Sequence, residues 1–62
     1  MDPHEILRID LINHFGSLAQ FYPAAYTMVD EVRDADDDRL EEIALDEGFD
    51  LDQYGIDTFS MN

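Results

Sequence analysis

The fold is decided by DPHEILRIDLINHFGSLAQFY, residues 2–22, which combine a helix start signal with one long apolar stripe. Asp2 can cap the first turn, and Pro3 loses nothing there because its missing N–H would have no partner. Apolar residues then recur at three- and four-residue spacing, which predicts a helix with one buried face. They are Leu7, Leu11, Phe15, Leu18 and Tyr22, with Ile12 and Ala19 beside them. We expect this helix over residues 3–15, and Gly16 either weakens its continuation toward residue 20 or ends it.

Two further helices are predicted downstream. The residue before Pro23 is pushed out of the helical region, so a second helix is expected over 23–34. The aspartates that follow suit a cap better than a helix interior, so a third helix should start near Asp37 or Asp38 and end at Gly48. The apolar faces comprise Ala25, Met28, Val29 and Val32 in the second helix and Leu40, Ile43 and Ala44 in the third.

The tail that begins at Phe49 fits two patterns. Its apolar and acidic residues alternate as in a short strand, yet Leu51, Tyr54 and Phe59 also fit a helical turn. We favour a short helix or an ordered loop that folds back on the other helices. The chain, residues 1–62, is therefore predicted to form one all-α domain, a small bundle of three to four short helices.

Size limits what can stabilise this domain. The chain has 62 residues and no cysteine, so disulfides are excluded. A domain this small buries only about 60% of the surface that its unfolded chain exposes. Every large side chain is then needed in the core, and we expect the aromatic cluster Phe21, Tyr22 and Tyr26 to pack there. The alternative is that these aromatics are exposed and anchor an interface.

Charge is the most informative property of the sequence. The net charge is -13, with three arginines and no lysine, and residues 30–62 hold -11 of it. From Asp34 to Asp52, ten of nineteen residues are acidic. As one helix this run would be roughly 28 Å long at ~1.5 Å per residue. It would carry one charge per ~3 Å, which is on the order of the charge spacing along one DNA strand.

This charge points to a cationic partner. Nucleic acids and anionic membranes are themselves negative and would repel the protein, so we expect it to bind neither directly. No segment approaches the ~20 apolar residues of a membrane helix, and no basic stretch precedes an apolar run at the start. We therefore expect a cytoplasmic protein. An acidic surface without lysine is equally typical of adaptation to high salt, and composition does not separate the two explanations.

Catalytic, metal and cofactor sites are not expected. Asp34, Asp36 and Asp38 resemble the first half of an EF-hand loop, but Arg39 replaces its glycine and Leu45 replaces its bidentate glutamate. Adjacent carboxylates such as those of Glu41 and Glu42 would point to different faces of a helix. The sequence has no cysteine and no glycine-rich phosphate loop. We predict a non-enzymatic protein without cofactor.

One short segment resembles a carrier motif. Residues 54–59, YGIDTF, are similar to the Gly-x-Asp-Ser-Leu segment of acyl carrier proteins, which are also small, acidic and helical. In that family the serine carries phosphopantetheine. Thr58 stands at the serine position, and four residues follow it where the family has a whole recognition helix. We therefore do not expect a carrier function.

The whole chain resembles the small acidic inhibitors of phages and other mobile elements, which include DNA-mimicking anti-restriction and anti-CRISPR proteins. The resemblance rests on size, on the absence of lysine and cysteine, and on the acids between Asp30 and Asp57. It implies an inhibitor that occupies the nucleic-acid groove of a basic protein or complex in the host cytoplasm. The alternative is an acidic antitoxin or adaptor that binds one basic protein mainly through its aromatic cluster.

The residues predicted to contact the partner are carboxylates that would take the places of phosphates against arginine and lysine. They are Asp34, Asp36, Asp37, Asp38, Glu41, Glu42, Asp46, Glu47, Asp50 and Asp52.

Overall fold

Three α-helices and one short 3-10 helix make up the part of the chain, residues 2–56, that a computed structural model describes. The helices are α1 (Pro3–Leu18), α2 (Ala25–Asp34) and α3 (Asp37–Asp46), and the 3-10 helix is Leu51–Tyr54. Residues 2–56 contain no strand, which confirms the prediction of an all-α fold. The described chain measures 34 × 26 × 18 Å along its principal axes.

The first helix begins as predicted and runs beyond the predicted end. The side chain of Asp2 accepts a hydrogen bond from the backbone N–H of His4 at 3.1 Å, and Pro3 occupies the first turn. The helix continues through Gly16 to Leu18. A glycine inside a helix costs about 1 kcal/mol relative to alanine. Burial of Phe15 and Ala19 on either side of Gly16 offsets that cost.

One apolar core joins all four segments. Its largest fully buried side chains are Leu7 and Leu11 of α1, Val32 of α2 and Leu40 of α3. The rest of the buried cluster consists of Phe15, Val29, Ile43, Ala44, Leu51 and Ile56. Because the last two residues come from the tail, the prediction that it folds back on the bundle is confirmed up to Ile56. The predicted contribution of Phe59 and the carrier-like Thr58 lie outside the described residues.

The acidic run does not form one continuous helix. Ala35 is extended between α2 and α3, and Gly48 adopts the left-handed conformation (φ 83°) that ends α3. The N–H of Phe49 then donates to the carbonyl of Ala44 at 2.9 Å, which turns the chain back. The α3 helix is therefore only about 15 Å long. The acidic residues 34–52 therefore do not form a single helix about 28 Å long.

Arg8 joins α1 to the end of α2. Its Nη1 atom lies 2.8, 3.0 and 2.9 Å from the carbonyl oxygens of Val32, Arg33 and Ala35. The last carbonyls of a helix have no partner within the helix, and the helix dipole makes this end negative. The guanidinium of Arg8 donates hydrogen bonds to these carbonyls, and its positive charge is attracted to the negative end of α2. Arg8 therefore links α1 to the C-terminal end of α2, 24–27 residues further along the chain, and its charge is satisfied within the fold.

A side-chain hydrogen bond also connects the tail to α1. The Tyr54 hydroxyl donates to the carboxylate of Asp10 at 2.6 Å. This hydrogen bond, followed by burial and by the negative charge of Asp10, raises the pKa of Tyr54 to about 12. The phenol is therefore protonated throughout the neutral range and remains a hydrogen-bond donor. The 3-10 helix is held against α1 by this bond as well as by the buried Leu51.

Candidate functional site

The ten predicted contact residues are spread over three segments and the turns between them. Asp34 ends α2, Asp36 and Asp50 precede helices, and Glu47 follows α3. The others lie within α3 or the 3-10 helix: Asp37, Asp38, Glu41, Glu42, Asp46 and Asp52. Nine of the ten are exposed, and Glu41 is half-buried. The acids thus form a surface, but its parts have different local roles.

Two of these aspartates are helix caps. The side chain of Asp36 accepts a hydrogen bond from the N–H of Arg39 at 2.9 Å and so caps α3. The side chain of Asp50 accepts from the N–H of Asp52 at 3.1 Å and caps the 3-10 helix. A capping aspartate stabilises a helix by about 1 kcal/mol compared with alanine. These two carboxylates therefore serve the fold whether or not they meet a partner.

The two histidines of α1 each hold a carboxylate from the acidic half. His4 Nε2 lies 2.7 Å from Glu41 Oε2, and Asp37 lies 3.8 Å from the same ring. His14 Nε2 lies 3.0 Å from Glu47, and the His14 ring packs edge-on against Phe49. Partners 37 and 33 residues apart give no signal in sequence periodicity. These two pairs connect α1, in the half of the chain that carries only -2, to the half that carries -11.

Arg39, in the first turn of α3, bonds to one glutamate of α2 and to one of its own helix. Its Nε donates to Glu31 at 3.0 Å, and its Nη1 donates to Glu42 at 2.8 Å. These bonds, first to Glu31 and then to Glu42, raise the pKa of Arg39 further above its ordinary value. Glu42 therefore points to Arg39, whereas Glu41 points to His4. The two adjacent glutamates face different neighbours, as their sequence position predicts.

Six of the ten carboxylates contact no basic side chain among the described residues. Two of the six are the caps Asp36 and Asp50, and the side chains of the other four make no hydrogen bond or ion pair within residues 2–56. We call these four exposed residues the outer aspartates: Asp34, Asp38, Asp46 and Asp52. Asp38, Glu42 and Asp46 recur every four residues and so share one outward stripe of α3. Charges on this stripe are about 6 Å apart along the axis, roughly half the density of one DNA strand.

The aromatic cluster is exposed, which overturns the expectation that it packs in the core. Phe21, Tyr22 and Tyr26 are 76%, 66% and 61% exposed. We call these three residues the aromatic turn, because they lie at and just after the connection between α1 and α2. Helical spacing gave no signal for the exposure of Tyr26. Tyr26 lies three positions before the buried Val29, a spacing that places both side chains toward the same side of α2 and so favours burial.

Neither a metal cluster nor a membrane helix is found in the described part of the chain. No group of three or more histidine and carboxylate side chains within residues 2–56 could hold a metal ion. None of the described helices is long and apolar enough to cross a membrane. Asp34, Asp36 and Asp38, which resemble part of an EF-hand loop, lie at the end of α2, at the cap of α3 and inside α3.

The His4 pair makes stability depend on pH in a direction that can be tested. The hydrogen bond to Glu41, opposed by burial and aided by Asp37, raises the pKa of His4 above 6.5. A raised histidine pKa stabilises the fold fully below 6.5, and this contribution is lost as the pH rises through the folded-state pKa. We expect Glu41→Gln to bring the His4 pKa down, measured from its ring proton shifts by NMR. An unchanged His4 titration would contradict the pairing.

Comparison with known proteins finds no match for this chain among protein-family models, curated proteins or solved structures.

Proposed function

We propose that this protein is a non-catalytic inhibitor that occupies the nucleic-acid-binding surface of a basic protein or complex, with its carboxylates in the places of phosphates. The observation that carries the proposal is the set of outer aspartates. These four side chains contact no described basic group, whereas Arg8, Arg33 and Arg39 all lie against carboxylates or carbonyls of the same chain. The missing cations are best supplied by a partner.

Self-repulsion supports this reading. Small domains usually mix charges of both signs on their surfaces, because a large net charge destabilises the compact state. A net charge of -13 on 62 residues is far from such a balance of positive and negative charges. A surface rich in arginine and lysine would neutralise the repulsion on binding. Affinity should then fall steeply with salt, and association should be accelerated by long-range attraction.

The proposed contact set remains the ten predicted carboxylates, but they would contribute unequally. The outer aspartates can meet a guanidinium or an ammonium without breaking a contact seen in this fold. The other six would add to the negative potential while they cap helices or pair with His4, His14 and Arg39. Such an inhibitor would act in the cytoplasm of a host cell, in line with the resemblance to phage and mobile-element proteins.

Competition with nucleic acid tests the proposal. Wild-type protein is immobilised, host extract is applied, and bound proteins are eluted with duplex DNA, with RNA or with salt. We expect the main target to elute with nucleic acid at low salt and to lose its own nucleic-acid binding when mixed with the free protein. A target that binds nucleic acid and this protein at the same time, without interference, would rule out mimicry.

The adaptor or antitoxin alternative is favoured by one observation, the exposure of the aromatic turn. In that case apolar contacts would dominate, and affinity would change little between low and moderate salt. The salt dependence of binding to the recovered target therefore separates the two functions. A slope near zero favours the adaptor, whereas a steep loss of affinity with salt favours the mimic.

A further inference from the structure

The aromatic turn exposes a large apolar area on a small protein. Phe21, Tyr22 and Tyr26 remain 61–76% exposed, although the domain has few large side chains with which to build a core. Three such side chains present on the order of 400 Å² to solvent, which is as large as the main apolar patch of many monomers. Patches of this size on small domains commonly mark an interaction site.

The backbone that carries the patch is ordered by its own hydrogen bonds. The N–H groups of Phe21 and Tyr22 donate to the carbonyl of Leu18 at 2.9 and 2.8 Å. The N–H of Tyr26 donates to the carbonyl of Pro23 at 3.0 Å. Because the backbone of this turn is already ordered, less backbone entropy is lost when a partner covers its aromatic side chains.

Charge around the patch indicates what can cover it. No aspartate, glutamate, lysine or arginine occurs from residue 11 to residue 29. Asp30 and Asp34 follow Tyr26 at four-residue intervals along α2, and both are exposed. The outer face of this helix is therefore aromatic at its start and acidic at its end. A complementary surface would place an apolar pocket beside basic side chains.

We propose that the aromatic turn is the anchor of the interface, inserted into an apolar pocket that arginine and lysine side chains border on a basic partner protein. The inference rests on the proposed function for the sign of the partner's charge. A second copy is a poor occupant, because two molecules of charge -13 repel each other. An anionic membrane is repelled for the same reason, and the patch offers it no basic residue.

Two matched peptides test the anchor. One is an amphipathic helical peptide of leucine and lysine, and the other has the same length and charge with every leucine replaced by serine. We expect wild-type protein to bind the leucine peptide roughly tenfold more tightly, because the aromatic side chains are covered by apolar ones. Amide shifts on binding should cluster around the aromatic turn. The triple variant Phe21→Ser, Tyr22→Ser and Tyr26→Ser should lose this preference and keep its affinity for the serine peptide.

A control variant separates this surface from general hydrophobicity. Ile9→Ser with Leu45→Ser removes two other exposed apolar side chains, 48% and 57% exposed, from α1 and α3. It should keep the preference for the leucine peptide. Persistence of the preference in the triple variant, its loss in the control, or dimerisation that the triple variant abolishes would each overturn the proposal. If leucine preference holds while nucleic acid fails to compete for the target, the anchor stands and mimicry fails.

Discussion

Replacing Arg8 with methionine is expected to lower the melting temperature by about 10–15 °C, which is a large fraction of the stability of so small a domain. Methionine keeps much of the side-chain volume but offers no donors to the carbonyls of Val32, Arg33 and Ala35. A hydrogen bond to a charged group contributes about 1.5–3 kcal/mol. Because the contact is only partly solvated, we expect a loss of about 2 kcal/mol.

Arg33→Met is the matched control for this experiment. It changes the net charge by the same amount, so both variants suffer the same added repulsion. The Arg33 side chain is 64% exposed and lies 3.9 Å from Asp30, an arrangement that contributes little to stability. We expect its melting temperature to stay within a few degrees of wild type, and thermal unfolding followed by circular dichroism measures both. Equal losses in the two variants would show that charge, and not the Arg8 contact, is responsible.

Local patterns in the sequence predicted the helices well. The spacing of apolar residues and the cap at Asp2 located α1, and the aspartates before Asp37 located the start of α3. The end of α1 was missed because Gly16 weakens a helix locally, whereas burial of Phe15 and Ala19 depends on packing against other segments. Periodicity reports which face of a helix is buried. It does not report whether tertiary contacts outweigh one unfavourable residue.

Contacts between distant residues could not be predicted. Nothing in the sequence links Arg8 with the end of α2 or His4 with Glu41, because such pairs depend on how the helices are arranged. The same limit applies to the acids. Their number and sequence density are evident from composition, but the division into caps, paired carboxylates and outer aspartates follows only from the fold. The exposure of the aromatic turn is a further case, because the three-residue spacing from Tyr26 to the buried Val29 favours the core and only the arrangement of the helices leaves Tyr26 uncovered.

Neutralising the outer aspartates is expected to have the largest effect on function. The variant carries Asp34→Asn, Asp38→Asn, Asp46→Asn and Asp52→Asn. Asp34 and Asp46 end helices, where a negative charge opposes the dipole by about 0.3–1 kcal/mol each, so their replacement should stabilise the fold. Asp38 lies in a first turn and loses a favourable contact of similar size. Overall stability should therefore change by no more than about 1 kcal/mol.

The affinity of this variant for the target that nucleic acid elutes should nevertheless fall by at least ~100-fold. Charge-assisted hydrogen bonds contribute about 1.5–3 kcal/mol each, and four of them are removed. The comparison variant neutralises four acids that have partners inside the chain: Asp37→Asn, Glu41→Gln, Glu42→Gln and Glu47→Gln. Its net charge equals that of the outer-aspartate variant, because both neutralise four acids. It should be less stable than wild type, since His4, His14 and Arg39 lose their carboxylates, but bind more tightly than the outer-aspartate variant. Titration calorimetry at two salt concentrations measures both affinities, and wild-type affinity in the outer-aspartate variant would refute phosphate mimicry.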